Sequence, residues 1–270
     1  MWSFTSDARK YAEVAEPFLL GDPVSDTVPL TALNGLRAGS PADDPVLGWW
    51  DDGGEVRGAA VRTPPYPLAL ARMPVEAVAP LLDVLGAPHV RQVHGPVELT
   101  SEVARLLGAP VKEVSERLYR LGALDVPDVP GRGRLATPAE FPLLVSWFHA
   151  FGTEVGLGET ADAAERVAQR TAGRELFVWE ADGVPVACAG LSPSAGGVCR
   201  IGPVYTPPSR RRRGYGAAVT AFASRVALEE RCEQVVLFTD LANPTSNAVY
   251  QSIGYEPVAD YAHLTFAARP

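Results

Sequence analysis

Only three cysteines occur in 270 residues. Cys188, Cys199 and Cys232 are odd in number and include no close pair at metal spacing, so neither a disulfide framework nor a zinc site is indicated, and buried thiols in a reducing cytoplasm are expected. Long hydrophobic runs are missing as well: none is long enough to span a bilayer. The stretch from Met1 to Leu20 is broken by Asp7, Arg9, Lys10, Glu13 and Glu16, charges that the hydrophobic part of a signal peptide would not carry. Positive charge is also short. The formal net charge of -8 at pH 7 argues against the broad basic surface that nucleic acids or anionic membranes require, and leaves room only for a local basic site. A soluble cytoplasmic protein without metal, membrane or nucleic-acid partner is expected. With 47% hydrophobic and 21% charged residues, the chain can build one large core or two modest ones.

Punctuation by glycine and proline divides what remains. Val126-Pro127-Asp128-Val129-Pro130-Gly131-Arg132-Gly133 combines turn formers without periodicity and is the natural boundary between two halves, residues 1–130 and 131–270. In the first half Val46 to Val61 reads as a strand pair turned at Asp51-Asp52-Gly53-Gly54; in the second, Leu176 to Leu191 reads as one turned at Asp182-Gly183. Tryptophan precedes both turns, at Trp50 and Trp179. Later, Arg91 to His94 and Val235 to Phe238 read as strands, each leading to a helix stopped by glycine at Leu107-Gly108 and Ile253-Gly254. This order suggests a diverged internal duplication.

The chemistry gathers in the second half. Val198 to Thr206 is rich in β-formers yet contains Gly202-Pro203, and a proline inside a strand removes a ladder donor and marks a bulge or splay. The strand is therefore expected to part from its neighbour there, leaving main-chain groups of Val204 and Thr206 for a ligand with amides of its own, such as pantetheine. Arg210-Arg211-Arg212-Arg213-Gly214-Tyr215-Gly216 follows, and then Val219, Phe222, Ala223 and Val226 recur at helical spacing. Unpaired N–H groups at a helix start, glycines that admit close approach and neighbouring arginines suit a diphosphate. A dinucleotide fold would need a third glycine where Val219 stands, and the G-K-[ST] of a P-loop is absent. A nucleic-acid patch is the competing reading of the four arginines.

A third element runs from Asp240 to Gly254. Asn243 suits an N-cap, Pro244 the first helical position and Gly254 the stop. At helical spacing Asn243, Ser246, Asn247 and Tyr250 share a polar face, with Val249 and Ile253 elsewhere on the helix. A phenol is a reasonable proton donor to a departing thiolate when an amine attacks a thioester.

Together these elements resemble the GNAT superfamily of acyl-CoA-dependent N-acyltransferases. Its phosphate-binding pattern, Arg or Gln, two residues, Gly, one residue, Gly or Ala, is met by Arg211, Gly214 and Gly216. The asparagine and tyrosine of its next helix are met by Asn243 and Tyr250, and Ile253 to Val258 looks like its following strand entry. The resemblance covers about residues 132 to 270. It implies an α/β fold of mixed, mostly antiparallel sheet flanked by helices, as two related halves, with acetyl-CoA or a related acyl-CoA as cosubstrate. Pantetheine would lie along Val204, Tyr205 and Thr206, and the diphosphate at Arg211, Arg212, Arg213, Gly214, Tyr215, Gly216 and Ala217, with Asn243 and Ser246 on the cofactor side of the next helix. Transfer to a small-molecule amine or protein amino group by direct attack in a ternary complex, with Tyr250 as general acid, is implied too. Glu154 and Glu159, near His149, are candidates to deprotonate the amine.

The first half departs from the pattern. It lacks a Gly-x-Gly after Met73-Pro74-Val75 and has Ala104 where Tyr250 stands, so it is expected to have lost cofactor site and acid. Its expected role is to shape the acceptor cleft, with Trp49-Trp50 and the loop around Tyr66 as candidate lining. An acyl-CoA sensor or scaffold without turnover remains the alternative to an enzyme, and the residues that grip CoA select neither the acceptor nor the acyl chain.

Overall fold

Both Asp-Gly turns close hairpins. Strands β2 (Val46–Asp52) and β3 (Glu55–Arg62) pair antiparallel around Gly53 and Gly54, at φ +69 and +93; β8 (Leu176–Ala181) and β9 (Val184–Leu191) do so around Asp182 and Gly183, at φ +51 and +76. Glycine, and aspartate next to it, occupy such left-handed conformations at least cost, which sets the register of each pair.

A computed structural model describes residues 1–40, 42–86, 90–155 and 162–267, so Glu159 lies outside the described residues. The first run of elements is β1 (Trp2–Thr5), α1 (Ala8–Leu20), α2 (Thr27–Arg37), β2, β3, β4 (Leu68–Leu70), α3 (Val78–Leu85), β5 (Gln92–Pro96), α4 (Val97–Leu107) and β6 (Lys112–Leu121). The second run is β7 (Arg132–Leu135), α5 (Phe141–Glu154), α6 (Ala163–Ala172), β8, β9, β10 (Val198–Tyr205), α7 (Tyr215–Glu230), β11 (Gln234–Asp240), α8 (Pro244–Ser252) and β12 (Tyr255–Thr265). The order of strands and helices is the same in both runs, as the matched hairpins and glycine stops lead one to expect. Gly108 follows α4 at φ +84, and Gly254 lies two residues beyond α8 at φ +98.

The compact units do not divide the chain at residues 130 and 131. One comprises Met1–Tyr119, Thr239–Asn243 and Pro257–Pro270; the other comprises Arg120–Phe238 and Pro244–Glu256. The physical reason is the last strand, which pairs antiparallel with β5 from Tyr261 opposite Pro96 to Thr265 opposite Gln92.

In the first unit the strands are ordered β1-β2-β3-β4-β5-β12-β6, and from β1 to β12 neighbours are antiparallel except for β4 beside β5. Leu81, Leu99 and Val103 from α3 and α4 close over Leu68, Val93 and Leu264 in one apolar core. Near the end of β4, Arg72 is bolted to Asp26, which is 1% exposed: its main-chain N–H reaches one carboxylate oxygen at 3.0 Å and its Nε the other at 2.9 Å. Burial outweighs this guanidinium and raises the Asp26 carboxyl to about 6.

Because that value lies above the ordinary aspartate range, folding favours the protonated form. Asp26 therefore contributes stability that is fully present below about pH 4 and is lost as pH rises through about 6. Relative to an Asp26→Asn variant, the wild type is expected to lose up to about 3 kcal/mol of stability between these limits. Denaturant melts of both proteins from pH 4 to pH 7 check this; parallel stability curves would refute it.

In the second unit the order is β11-β10-β9-β8-β7, antiparallel except for β10 beside β11. Helices α5 and α6 cover one face through Leu144, Trp147, Phe148 and Val167, packed on Val178, Cys188 and Tyr205. Side chains alternate along a strand, so Phe177 points the other way and meets Phe222 of α7 edge-on at 5.8 Å. Most buried positions of α7 are small, including Ala217, Ala218, Ala221, Ser224 and Ala227. Such residues let the helix lie close on the sheet.

All three cysteines are free and buried. Among the described residues no helix is long and apolar enough to cross a membrane, and no group of three His, Cys, Asp or Glu side chains could hold a metal ion.

Candidate functional site

The break expected in β10 is present. Its parallel ladder with β11 runs from Val198 opposite Gln234 to Ile201 opposite Leu237 and stops, although both strands continue. On the other edge the register with β9 shifts between Ile201 and Val204, around Gly202 (φ +153) and Pro203, before Val204 meets Ala189 and Tyr205 meets Cys188. A strand that keeps one partner and loses the other offers main-chain groups to an extended ligand. Val204 and Thr206 are half-buried there, with Tyr205 between them pointing into the α5 side of the core.

The turn that follows brings a second set of donors beside that edge. Arg212 and Gly214 both have positive φ, +61 and +79, and Gly214 is the N-cap of α7 with no side-chain capping bond. The first N–H groups of α7 are thus left without a side-chain acceptor, at the positive end of a 16-residue helix. A Cβ added at Gly216 would meet only Thr206 Oγ1, at 3.4 Å, so the strand end and the helix start are neighbours across a bare glycine surface. A Cβ at Gly214 would instead come within 2.8 Å of Val129. Tyr215 and Gly216 are half-buried, Ala217 is buried, and Arg212, Arg213 and Gly214 are exposed. These features fit acyl-CoA: an unpaired strand edge for the amides of its arm, and an open, donor-rich helix start for its diphosphate.

Arg211 is placed differently from its neighbours. Its Nε donates to the Thr206 carbonyl at 2.9 Å, its Nη2 lies 2.6 and 2.7 Å from the two carboxylate oxygens of Glu154, and its guanidinium carbon sits 5.8 Å from the centre of the Tyr205 ring. Arg211 was expected to offer its side chain to phosphate; in this structure its guanidinium is engaged by Glu154 and by one lone pair of the Thr206 carbonyl. Glu154, expected as a candidate base at the end of α5, has both oxygens engaged by one guanidinium. His149 lies half-buried in the same helix.

Helix α8 starts at Pro244, directly after Asn243, as the capping pattern predicts. Ser246, Asn247 and Tyr250 are half-buried on one face, whereas Thr245 and Ala248 are exposed. The Tyr250 ring meets Tyr255 edge-on at 6.1 Å, and the Tyr255 hydroxyl lies 2.7 Å from Ser224 Oγ of α7. Burial pushes the Tyr250 phenol up to about 12, so it stays protonated across the neutral range. The support of Tyr250 by Tyr255 was not anticipated from sequence; the aromatic at the first position of the next strand was its only signal.

In the first unit the corresponding strand end is closed. Leu70 sits opposite Ala60 as Val204 sits opposite Ala189, and its Cβ lies 2.8 Å from where a Cβ on Gly95 of β5 would be. A side chain on Gly95 would therefore press on Leu70, so the two parallel strands run close together here. Two positions on, the Arg72 N–H is already taken by Asp26.

Residues 142–255 match the family described as acetyltransferase (GNAT) family. No curated protein matches the sequence. The fold is shared end to end with solved structures of low identity. A Drosophila protein is 13% identical with a TM-score of 0.72, covering 100% of this chain and 99% of its own. A GCN5-related N-acetyltransferase from Sphaerobacter thermophilus is 16% identical with a TM-score of 0.62, covering 100% and 96%. A tandem GNAT protein from the clavulanic acid biosynthesis pathway is 15% identical with a TM-score of 0.59, covering 100% and 99%.

Proposed function

We propose that the protein, whose residues 142–255 match the GNAT family and whose whole length shares the fold of a tandem GNAT protein, transfers an acetyl group from acetyl-CoA to a primary amine on a small molecule or protein. The observation that carries this reading is the ladder that ends at Ile201 beside an uncapped, glycine-lined helix start at Gly214. When bound, acyl-CoA supplies an activated thioester carbonyl and a thiol leaving group. Val204 and Thr206 orient the pantetheine arm through their main chain. Gly214, Tyr215, Gly216 and Ala217 present N–H groups to the diphosphate, while Arg212 and Arg213, exposed at the same turn, add positive charge.

Tyr250 holds a proton for the sulfur as the amine displaces it. Its raised pKa does not disqualify it, because a thiolate in the same half-buried setting is made more basic by the same loss of water. The amine attacks directly, without a covalent enzyme intermediate. The first unit is read as not holding the cosubstrate: it lacks a Gly-x-Gly turn after Met73, and the Arg72 N–H is already bonded to Asp26. A cytoplasmic setting agrees with three free, buried thiols.

Incubation with isotopically labelled acetyl-CoA and a panel of metabolite amines and peptides, read by thiol release and mass spectrometry, tests the reading. Stoichiometric label on an amine supports it. Tight CoA binding with no acceptor labelled would favour a sensor or scaffold; strongly salt-dependent DNA binding that survives excess CoA would favour a nucleic-acid role for the arginines.

A further inference from the structure

We propose that Glu154 and Arg211 form a latch that holds the diphosphate turn in its binding shape, so that Arg211 positions main-chain donors and does not itself ligate phosphate. The inference rests on the acyl-CoA reading of this site. Its basis is the set of contacts around one guanidinium: Glu154 at the end of α5, the Thr206 carbonyl at the end of β10, and the face of Tyr205 below. Tyr205 is in turn packed 6.1 Å from Trp147 of α5, so the plate under the guanidinium is part of the core. Arg211 is therefore tied to two different elements, immediately before two residues whose backbone must turn through positive φ within three positions, Arg212 and Gly214.

A turn of that kind has competing extended states, and arginine at φ +61 is an unfavourable occupant of the left-handed region. Fixing the residue just ahead of it limits those states. Arg212 and Arg213 are exposed and are the side chains left to meet phosphate oxygens. The pair is 43% and 44% exposed, so its own attraction is small, and its effect is expected in affinity for the diphosphate portion alone.

The test compares CoA with pantetheine, which shares the arm and lacks the diphosphate. Binding of CoA is measured by calorimetry and of pantetheine by NMR titration, for wild type, Glu154→Ala, Glu154→Gln and Arg211→Lys. Each variant is expected to weaken CoA about three- to fivefold and pantetheine by less than about 1.5-fold, the range a surface ion pair supports. Glu154→Gln should match Glu154→Ala, because the charge holds the guanidinium.

Equal weakening of both ligands would overturn the latch and mark Glu154 as a general structural support. Tighter CoA binding by the Glu154 variants would overturn it in another way, by revealing Arg211 as a phosphate ligand restrained by Glu154. Unchanged affinities would reduce the pair to an idle surface contact. Failure of the wild type to bind CoA would sink the acyl-CoA reading itself, an outcome distinct from the other three.

Discussion

Tyr250→Phe is expected to lower kcat about a hundredfold while the dissociation constant for acetyl-CoA changes by less than about twofold, because only the proton delivered to the sulfur is lost. The ring stays, and with it the edge-on contact to Tyr255. A hundredfold loss is at the lower end of what a positioned general acid supplies, which is appropriate for a thiolate that already leaves readily. Steady-state kinetics with a saturating acceptor and a direct CoA binding measurement together check the prediction. A variant that keeps wild-type turnover would remove Tyr250 from the chemistry. A parallel loss of CoA affinity would make it a packing residue of α8.

The pH profile provides a second reading of the same group. With its phenol raised to about 12, Tyr250 remains the protonated, active form throughout the range in which the protein can be assayed. Activity should therefore rise with pH as the acceptor amine loses its proton, without an alkaline decline from this tyrosine below about pH 10. A decline near neutrality that disappears in Tyr250→Phe would contradict the burial described here.

Gly214→Ala is expected to raise the dissociation constant for CoA by ten- to a hundredfold, whereas Gly216→Ala should change it by no more than about twofold. The two glycines look equivalent in sequence but meet different surroundings. At φ +79 an alanine at 214 pays about 1–2 kcal/mol for the left-handed conformation, and its methyl would press within 2.8 Å of Val129. The turn relieves both by abandoning the shape that presents its N–H groups. At 216 the backbone is helical and the nearest atom, Thr206 Oγ1, is at ordinary contact distance of 3.4 Å. Calorimetric titration with CoA of both variants, with melting curves to confirm folding, checks the contrast. Equal losses would mean that bare surface at both positions, not backbone conformation at one, governs binding.

What could be read from residues alone was what depends on neighbours in the chain. Asp182-Gly183 specifies a hairpin wherever it stands between alternating runs, Gly254 stops a helix whatever lies beyond, and Gly202-Pro203 interrupts a ladder irrespective of the partner strand. The phosphate turn was legible for the same reason, since its glycines and arginines are consecutive.

Side-chain roles that depend on distant partners were not legible. Glu154 was visible as a carboxylate at a helix end, but its engagement by Arg211 depends on how α5 and the turn are brought together in the fold. Arg72 carries no local signal in the sequence, and its bonds to buried Asp26 and to the Phe18 carbonyl depend on residues some fifty positions away. The membership of β12 was equally hidden, because β5 and β12 are short or mixed strands whose sequences carry no feature that selects one partner.

That last pairing bears on how the protein is made. As the ribosome delivers the chain, β5 emerges well before the strand that pairs with its edge, because residues 261–265 follow residues 92–96 only after the whole second run of elements. At ordinary elongation rates the wait is roughly ten to thirty seconds, during which an incomplete amino-terminal unit exposes a template for mispairing. A gene fragment stopped at the midpoint would make that delay permanent and should yield insoluble product, whereas a circular permutant that moves residues 257–267 ahead of Met1 would let the first unit close before the second is translated.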